Sequence, residues 1–154
     1  IADYVDVGDV VVPIAAVRDE DTTDHYVAKG YPAVADLCLA FEALNTLREL
    51  SRATGVKVHT GIVLTTSSTL SESPEWGREW STRRVIAVDG ETSVIYTLAS
   101  LTGIPVVNML TVSDHVVREE SMSASKHPEE KVEIAHQVTV KAAYEVLSKV
   151  ARHR

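Results

Sequence analysis

Apolar positions along the chain fall into two patterns that alternate with each other. Continuous apolar runs rich in β-branched residues predict strands whose two faces are both covered. Runs with apolar residues three and four positions apart predict helices that bury one side. The predicted strands cover residues 9–17, 56–66, 83–89 and 104–112, and the predicted helices run from Val34 to Gly55, from Glu91 to Leu101, and from Pro128 toward the C-terminus.

The helical patterns also predict buried faces and helix ends. Gly55 and Gly103 each follow a helical run, where glycine commonly ends a helix. The predicted buried faces consist of Val34, Leu37, Phe41, Leu44 and Leu47 in the first helix and of Val132, Ala135, Ala142, Val146 and Val150 in the last.

Proline and tryptophan refine this prediction in two places. Pro13 lacks a ladder donor, so it predicts an edge position or a bulge in the first strand. Residues 66–82 predict a polar surface loop with one helical turn after Pro74, which Trp76 and Trp80 anchor on the core or at a subunit contact. The acids of this loop are typical of a solvated face: Glu72, Glu75 and Glu79.

Strands that alternate with helices place the chain in the α/β class, and its length fits a single domain over residues 1–154. In open α/β sheets, ligands bind beyond the carboxyl ends of the strands. The expected functional rim therefore comprises residues 65–68, 89–91 and 113–115. Its hydroxyl residues after the second predicted strand are candidate substrate-binding residues: Thr65, Thr66 and Ser67.

Composition excludes several classes of function. The formal net charge is −7, which disfavours binding to a phosphate backbone, so no nucleic-acid partner is expected. No apolar run approaches the roughly 18 residues of a membrane span, so no membrane partner is expected either. The single cysteine, Cys38, cannot form an internal disulfide, and this favours a cytoplasmic location.

Two acids, Asp89 and Glu91, follow the strand 83–89 at a strand-to-helix junction. Carboxylates in the first turn of a helix interact favourably with its dipole, so both acids can be simple helix-start residues. An ionised carboxylate can also accept two hydrogen bonds from a vicinal diol such as that of ribose. Both interpretations stay open at this point.

A third acid, Asp114, closes the run LTVSD at the end of the last predicted strand. A carboxylate at a strand end can be partly desolvated, which raises its pKa and allows it to act as a general acid. The alternative is an ordinary turn or N-cap aspartate. No metal-ligand spacing and no glycine-rich phosphate loop occurs in the sequence, so neither a metal site nor a cofactor is expected.

Five ordered blocks stand out along the chain: GDVVVPIAAVRDEDTT, GYPAVAD, VHTGIVLTTSS, VDGETSVIYTLASLTGIPVV and LTVSDH. Together they resemble the nucleoside phosphorylase family, which includes uridine phosphorylases and hexameric purine nucleoside phosphorylases. The first three blocks are most similar to uridine phosphorylases, and the last is similar to the purine enzymes.

The resemblance implies a three-layer αβα fold with a mixed central sheet, and a dimer-based oligomer that can reach a hexamer. It implies reversible phosphorolysis of ribonucleosides, with inorganic phosphate as co-substrate and no cofactor. Glu91 would then bind the ribose hydroxyls beside Asp89 and Gly90. Ser113 and Asp114 match the Ser-Asp pair of the purine enzymes, in which the aspartate protonates the departing base, and this favours a purine substrate.

The resemblance also has gaps. The family's glycine-rich phosphate loop is expected upstream of Ile1, so the chain is expected to be the C-terminal portion of the domain. The N-terminal part would then be a separate polypeptide or would have been cut away, or the protein would be a reduced family member without phosphorolytic activity. The family's methionine under the sugar is replaced by Gly90, and the arginine that assists the aspartate would fall near Lys126 or His127. Hydrolysis instead of phosphorolysis, and a non-catalytic subunit, are the alternatives.

Overall fold

The fold is an α/β arrangement around a mixed sheet, seen here in a computed structural model that describes residues 1–118 and 128–152. Short 3₁₀ turns occur at Thr22–His25, Thr69–Ser71 and Val116–Arg118. The strands are β1 (Val10–Asp19), β2 (Ala33–Val34), β3 (Val58–Thr66), β4 (Val85–Asp89) and β5 (Leu110–Thr111), and the helices are α1 (Leu37–Ser51), α2 (Pro74–Thr82), α3 (Thr92–Thr102) and α4 (Pro128–Arg152).

The sheet order is β2-β1-β3-β4, and β5 lies beside β1 at the opposite end from β2. Strands β1, β3 and β4 are parallel, whereas β2 and β5 run antiparallel to β1. The register pairs Asp19 with Thr66 and Thr65 with Asp89. The carboxyl ends of β1, β3 and β4 therefore meet at one edge, and the α/β class is confirmed. The predicted rim is confirmed for residues 65–68 and 89–91 but is wrong for residues 113–115, because β5 runs antiparallel and its carboxyl end lies beside the amino end of β1.

Pro13 lies in the middle of the sheet, because β1 has β3 on one side and both β2 and β5 on the other. The β1–β3 register shifts between Pro13 and Ala15. This irregularity accommodates a residue that has no N–H to donate. The predicted bulge is confirmed, and the predicted edge position is wrong.

Alternate side chains of β1 enter two separate cores, which explains why the strand is apolar throughout. Val11 packs in a cluster with Tyr96 of α3. Val10 and Val12 pack with Leu47 of α1 and with the inner face of α4. Helices thus cover both faces of the sheet, which gives three layers. None of the helices in the described part of the chain is long and apolar enough to cross a membrane. The buried residues of α4 are Ala135, Val138, Ala142 and Val146.

Helix α1 begins later and buries a different face than predicted. Val34 pairs with Ala15 in the sheet, and Asp36 accepts the Leu39 N–H at 2.9 Å as the N-cap. Leu37 is 81% exposed. The predicted buried face is wrong at its N-terminal end, where Phe41 is also exposed. The inner side of α1 is formed by Ala40, Ala43 and Leu47, and its two alanines are small enough to allow close approach to the sheet and α4.

Only Leu110–Thr111 of the predicted strand 104–112 pairs in the sheet. The preceding backbone groups bond to partners outside any strand ladder. Ile104 donates to the Ala99 carbonyl at 2.9 Å, and the Val106 carbonyl accepts the Asp36 N–H at 2.8 Å. The predicted strand is therefore wrong for residues 104–109, whose hydrogen-bond partners were not visible in the pattern.

The polar loop after β3 contains a full helix, α2, and not one turn. Ser73 accepts the Trp76 N–H at 3.2 Å, and Pro74 occupies the first turn, where it has no N–H to leave unpaired. Trp76 and Trp80 meet edge to face at 6.5 Å between ring centroids. As predicted, they anchor this segment on the core, against Ile1, Leu64 and Val85.

A matched pair of leucines tests the assignment of the α1–α4 core. Leu47 is fully buried, whereas Leu147 of α4 is 68% exposed. We expect Leu47→Ala to lower the free energy of unfolding by about 2 to 5 kcal/mol, because it leaves a cavity. Leu147→Ala should change it by less than about 0.5 kcal/mol. Urea denaturation followed by circular dichroism measures both, and equal losses would contradict the assignment.

Candidate functional site

Thr65 and Asp89 lie opposite each other where β3 and β4 end. The Thr65 hydroxyl donates to Asp89 Oδ1 at 2.8 Å and accepts the Ser93 N–H at 2.9 Å. Asp89 Oδ2 accepts the N–H of Thr92 at 2.9 Å and also its hydroxyl. Asp89 therefore binds orphan donors in the first turn of α3, which is the helix-start role considered from the sequence.

Asn108 and Tyr96 extend this network beneath the rim. Asn108 Nδ2 donates to the Thr92 hydroxyl at 2.7 Å. The Tyr96 hydroxyl donates to the Pro13 carbonyl at 2.7 Å and accepts the Asn108 N–H at 3.0 Å. Burial raises the pKa of Tyr96 to about 12, so its hydroxyl remains protonated and keeps donating. Sequence inspection missed both residues, because their partners are distant in the chain.

Glu20, in the loop after β1, is a buried carboxylate that was not among the candidates predicted from the sequence. Its oxygens accept the Thr23 N–H at 2.9 Å, the Thr23 hydroxyl at 2.5 Å and the Ser93 hydroxyl at 2.9 Å. Burial alone would raise the pKa of Glu20, but these bonds and the charge of Arg18 outweigh it and hold the pKa below its usual value. The Glu-x-x-Thr spacing hinted at the local contact; the bond to Ser93 left no sequence signal.

Glu91 differs from Asp89 although only Gly90 separates them. Its side chain is exposed, makes no capping bond to α3, and has no hydrogen bond or ion pair within the described residues. Its backbone is fixed, because its carbonyl accepts the Ile95 N–H at 3.0 Å. Gly90 is also exposed, with open space where a side chain would begin. The two acids thus have separate roles, and only the Glu91 carboxylate is available to a ligand.

Ser113 and Asp114 follow β5, whose carboxyl end lies beside the amino end of β1, and they line a small cavity together with Ala87 and Val88 of β4. The Ser113 hydroxyl donates to Asp114 Oδ2 at 2.8 Å. The next residue, His115, is buried and accepts the Arg118 N–H at Nδ1, so its Nε2–H donates to the Ala2 carbonyl at 3.1 Å. This anchor fixes the backbone below Asp114. The side chain of Asp114 itself is exposed, so the expected desolvation is wrong: the chain leaves the sheet before this residue.

Glu72 is the acid that sequence inspection placed incorrectly on a solvated face. Glu75 and Glu79 are exposed and paired with Arg78 and Arg83, as that prediction requires. Glu72 is half-buried instead, and burial, followed by the charge of Asp114, raises its pKa. A second carboxyl group therefore lies near Asp114.

The remaining candidates complete the rim. Thr66 is buried and its hydroxyl accepts the Ser68 N–H at 3.3 Å, whereas Ser67 is exposed and donates to Asp21 at 3.3 Å. A cavity of about 70 Å³ separates β4 from residues 110–114, well below the roughly 300 Å³ of a small-molecule pocket. Within residues 1–118 and 128–152, no cluster of His, Cys, Asp and Glu could hold a metal ion, and Lys126 and His127 lie outside these residues.

The relationship of the chain to known proteins agrees with this geometry. A sequence model of the phosphorylase superfamily matches residues 1–152. The chain belongs to the phosphorylase superfamily. The resemblance noted in the sequence is thereby confirmed at the level of the superfamily.

Individual members of the phosphorylase superfamily are longer than this chain. A DeoD-type purine nucleoside phosphorylase from Geobacillus sp. (strain WCH70) is 29% identical over 141 residues, which cover 89% of this chain and 58% of that protein. A guanosine phosphorylase from Halorubrum lacusprofundi is 27% identical over 143 residues, with the same two coverages. The crystal structure of a uridine phosphorylase from Vibrio fischeri ES114 superposes with a TM-score of 0.79 at 23% identity, over 96% of this chain and 59% of that one, and confirms the three-layer fold.

The buried Glu20 carboxylate predicts a pH-dependent contribution to stability. Its pKa is lowered in the folded protein relative to about 4.3 in the unfolded chain. The stabilisation is therefore fully present above about pH 5 and is lost as the pH falls through the folded pKa. We expect Glu20→Gln to lower the free energy of unfolding at pH 7 by about 1 to 3 kcal/mol, and to flatten its decline below pH 5.

Urea denaturation between pH 3 and pH 7 measures this effect. Glu49→Gln is the matched control, because Glu49 is an exposed acid on α1. The interpretation fails if Glu20→Gln and Glu49→Gln give the same pH profile.

Proposed function

We propose that the protein acts as a nucleoside phosphorylase, which cleaves the N-glycosidic bond of ribonucleosides with phosphate and releases the free base and ribose 1-phosphate. The observation that carries this proposal is the cavity shared by the Ser113–Asp114 pair and the end of β4, the strand that is followed by the available carboxylate of Glu91. Membership of the phosphorylase superfamily and the names of the longer relatives support it.

Glu91 is assigned to the ribose. Its carboxylate is exposed, and an ionised carboxylate can accept hydrogen bonds from two neighbouring hydroxyls at once. The open space at Gly90 leaves room for the sugar against the backbone. Asp89, Thr65, Thr66 and Ser67 line the same rim.

Asp114 is assigned as the acid that protonates the departing base. It is exposed to a ligand, and the Ser113 hydroxyl fixes one of its oxygens at 2.8 Å. Glu72 lies close enough for the charge of Asp114 to raise its pKa. A half-buried carboxyl group with a raised pKa, such as that of Glu72, can hold a proton beside Asp114.

These assignments suit the charges that develop during the reaction. Cleavage builds positive charge on the sugar and negative charge on the base. A carboxylate that holds the sugar and an acid that faces the base therefore interact more strongly with the transition state than with the substrate. Phosphate placed near the anomeric carbon adds a positioning effect, and its binding belongs to the whole assembly, not to the described residues.

Substrate and assembly form the finer part of the proposal. The Ser113–Asp114 pair favours a purine base. The proposed working form is a dimer-based oligomer, up to a hexamer, with or without a second chain that carries the phosphate loop. Residues 1–154 are proposed to be the C-terminal portion of its nucleoside phosphorylase-like domain. A cytoplasmic location fits the single free thiol of Cys38.

Asp114→Asn tests the acid. We expect turnover of purine ribonucleosides to fall about a hundredfold or more, because the amide cannot donate the carboxyl proton. Release of free base by the native assembly, with and without phosphate, measures this. Unchanged turnover would remove Asp114 from the mechanism, and equal release without phosphate would indicate a hydrolase.

Glu91→Ala tests the sugar contact. We expect KM to rise, because the ribose contact is already made in the ground state, and kcat to fall, because the contact strengthens as positive charge develops on the sugar. The preference for ribonucleosides over 2′-deoxyribonucleosides, measured as the ratio of kcat/KM values, should also shrink. A variant that retains the parent's preference would show that Glu91 does not bind the 2′-hydroxyl.

A further inference from the structure

The hydrogen bonds of Asp89 all come from the protein interior. Thr65 and Thr92, which supply its donors, are both fully buried. Oδ1 receives the Thr65 hydroxyl, and Oδ2 receives both the N–H and the hydroxyl of Thr92. A carboxylate offers about four lone-pair sites, so most of its accepting capacity is already used.

The donors are themselves fixed, so each hydroxyl proton has one direction. Thr65 accepts from the Ser93 N–H, so its own proton points to Asp89. Thr92 accepts from Asn108 Nδ2, so its proton also points to Asp89. Ser93 in turn donates to Glu20. The first turn of α3 is thereby attached to β3, β4, the loop after β1 and the segment before β5.

Glu91 directly precedes this turn as the N-cap residue of α3, and Gly90 alone separates it from Asp89. Gly90 has no side chain to restrict its backbone, and open space surrounds it. The orientation of the Glu91 backbone therefore depends on the anchors at Asp89 on one side and at Thr92 and Ser93 on the other. A displacement of about 1 Å in a substrate-holding group can lower rates a hundredfold.

We propose that Asp89 and Thr65 are positioning residues that set the geometry of Glu91, and that neither contacts the substrate. This inference rests on the proposed ribose contact of Glu91. It assigns the two acids of the Asp-Gly-Glu segment to different functions, and it assigns Thr65 to the support of α3.

A double-mutant cycle with Glu91→Ala separates positioning from direct contact. Asp89→Asn places an amide N–H₂ against hydroxyl donors, and Thr65→Val removes the hydroxyl while keeping the shape. We expect each to reduce the preference for ribonucleosides over 2′-deoxyribonucleosides about tenfold. In the Glu91→Ala background, neither should reduce it further, because the group that they position is gone.

The measured quantity is the ratio of kcat/KM values for the two substrates, from which the fraction of folded enzyme cancels. A loss of stability alone would therefore leave it unchanged. Thr65→Ser, which retains a hydroxyl, should keep the parent ratio. If Thr65→Val does not fold, Asn108→Ala, which removes the donor to Thr92, replaces it with the same expectations.

Three results would overturn the inference or its basis, and they differ from each other. Asp89→Asn that still lowers the preference in the Glu91→Ala background would show that Asp89 contacts the sugar directly. If Thr65→Val, or Asn108→Ala in its place, leaves the preference for ribonucleosides unchanged, the network does not position Glu91. A parent protein that releases no base from nucleosides in the presence of phosphate would contradict the proposed function itself.

Discussion

The Thr65 hydroxyl is the interaction on which the functional rim depends most. It donates to Asp89 at the end of β4 and accepts from Ser93 in α3, so one oxygen joins three elements. The parallel register makes this possible, because it places Thr65 directly opposite Asp89. An unpaired N–H or carboxylate here would be costly, since the surroundings are buried. The same bonds therefore cap α3 and determine where its first turn lies.

Charge is distributed over this rim according to what each carboxylate can bond to. Glu20 and Asp89 receive donors from inside the protein and are part of the fold. Glu91 and Asp114 are exposed and receive few or none, so they retain the capacity to bind a ligand. Burying a charge is tolerated only where hydrogen bonds compensate it. The division between structural and available acids thus follows from the donors within reach.

The sequence predicted what local pattern controls. The strands around Val12, Val63 and Ile86 were predictable because β-branched runs need cover on both faces. Gly103 correctly predicted the end of α3, whereas α1 ends at Ser51, four residues before the predicted Gly55. The inner face of α1 was not, because alanines give a weak periodic signal although they pack most closely. The strand prediction failed at residues 104–109 for another reason, because tertiary structure decides which residues pair in a sheet.

The candidate acids show the same division between what local pattern predicts and what tertiary contacts decide. The place of Asp89 and Glu91 at the end of β4 could be predicted from topology, whereas the antiparallel direction of β5, which determines the place of Asp114, could not. Whether an acid is buried could not be predicted either, since Glu20 is bonded to Ser93, which lies 73 positions away in the chain, and no pattern distinguished the half-buried Glu72 from the exposed Glu75 and Glu79. Sequence inspection therefore found where the candidate site lies, but it could not assign the separate roles of Asp89 and Glu91.

The acidic character of the rim also constrains how phosphate can take part. Carboxylates stabilise the positive charge that develops on a sugar, but they repel an anion that approaches it. Arg18, at the carboxyl end of β1, does not compensate for this, because its guanidinium is engaged with Thr23, Asp24 and backbone carbonyls of the same loop. Phosphorolysis on this rim therefore requires cationic or N–H donors beyond those of Arg18. Under the proposed function, Glu91 and Asp114 contact the sugar and the base, so a separate group of donors must hold the nucleophile.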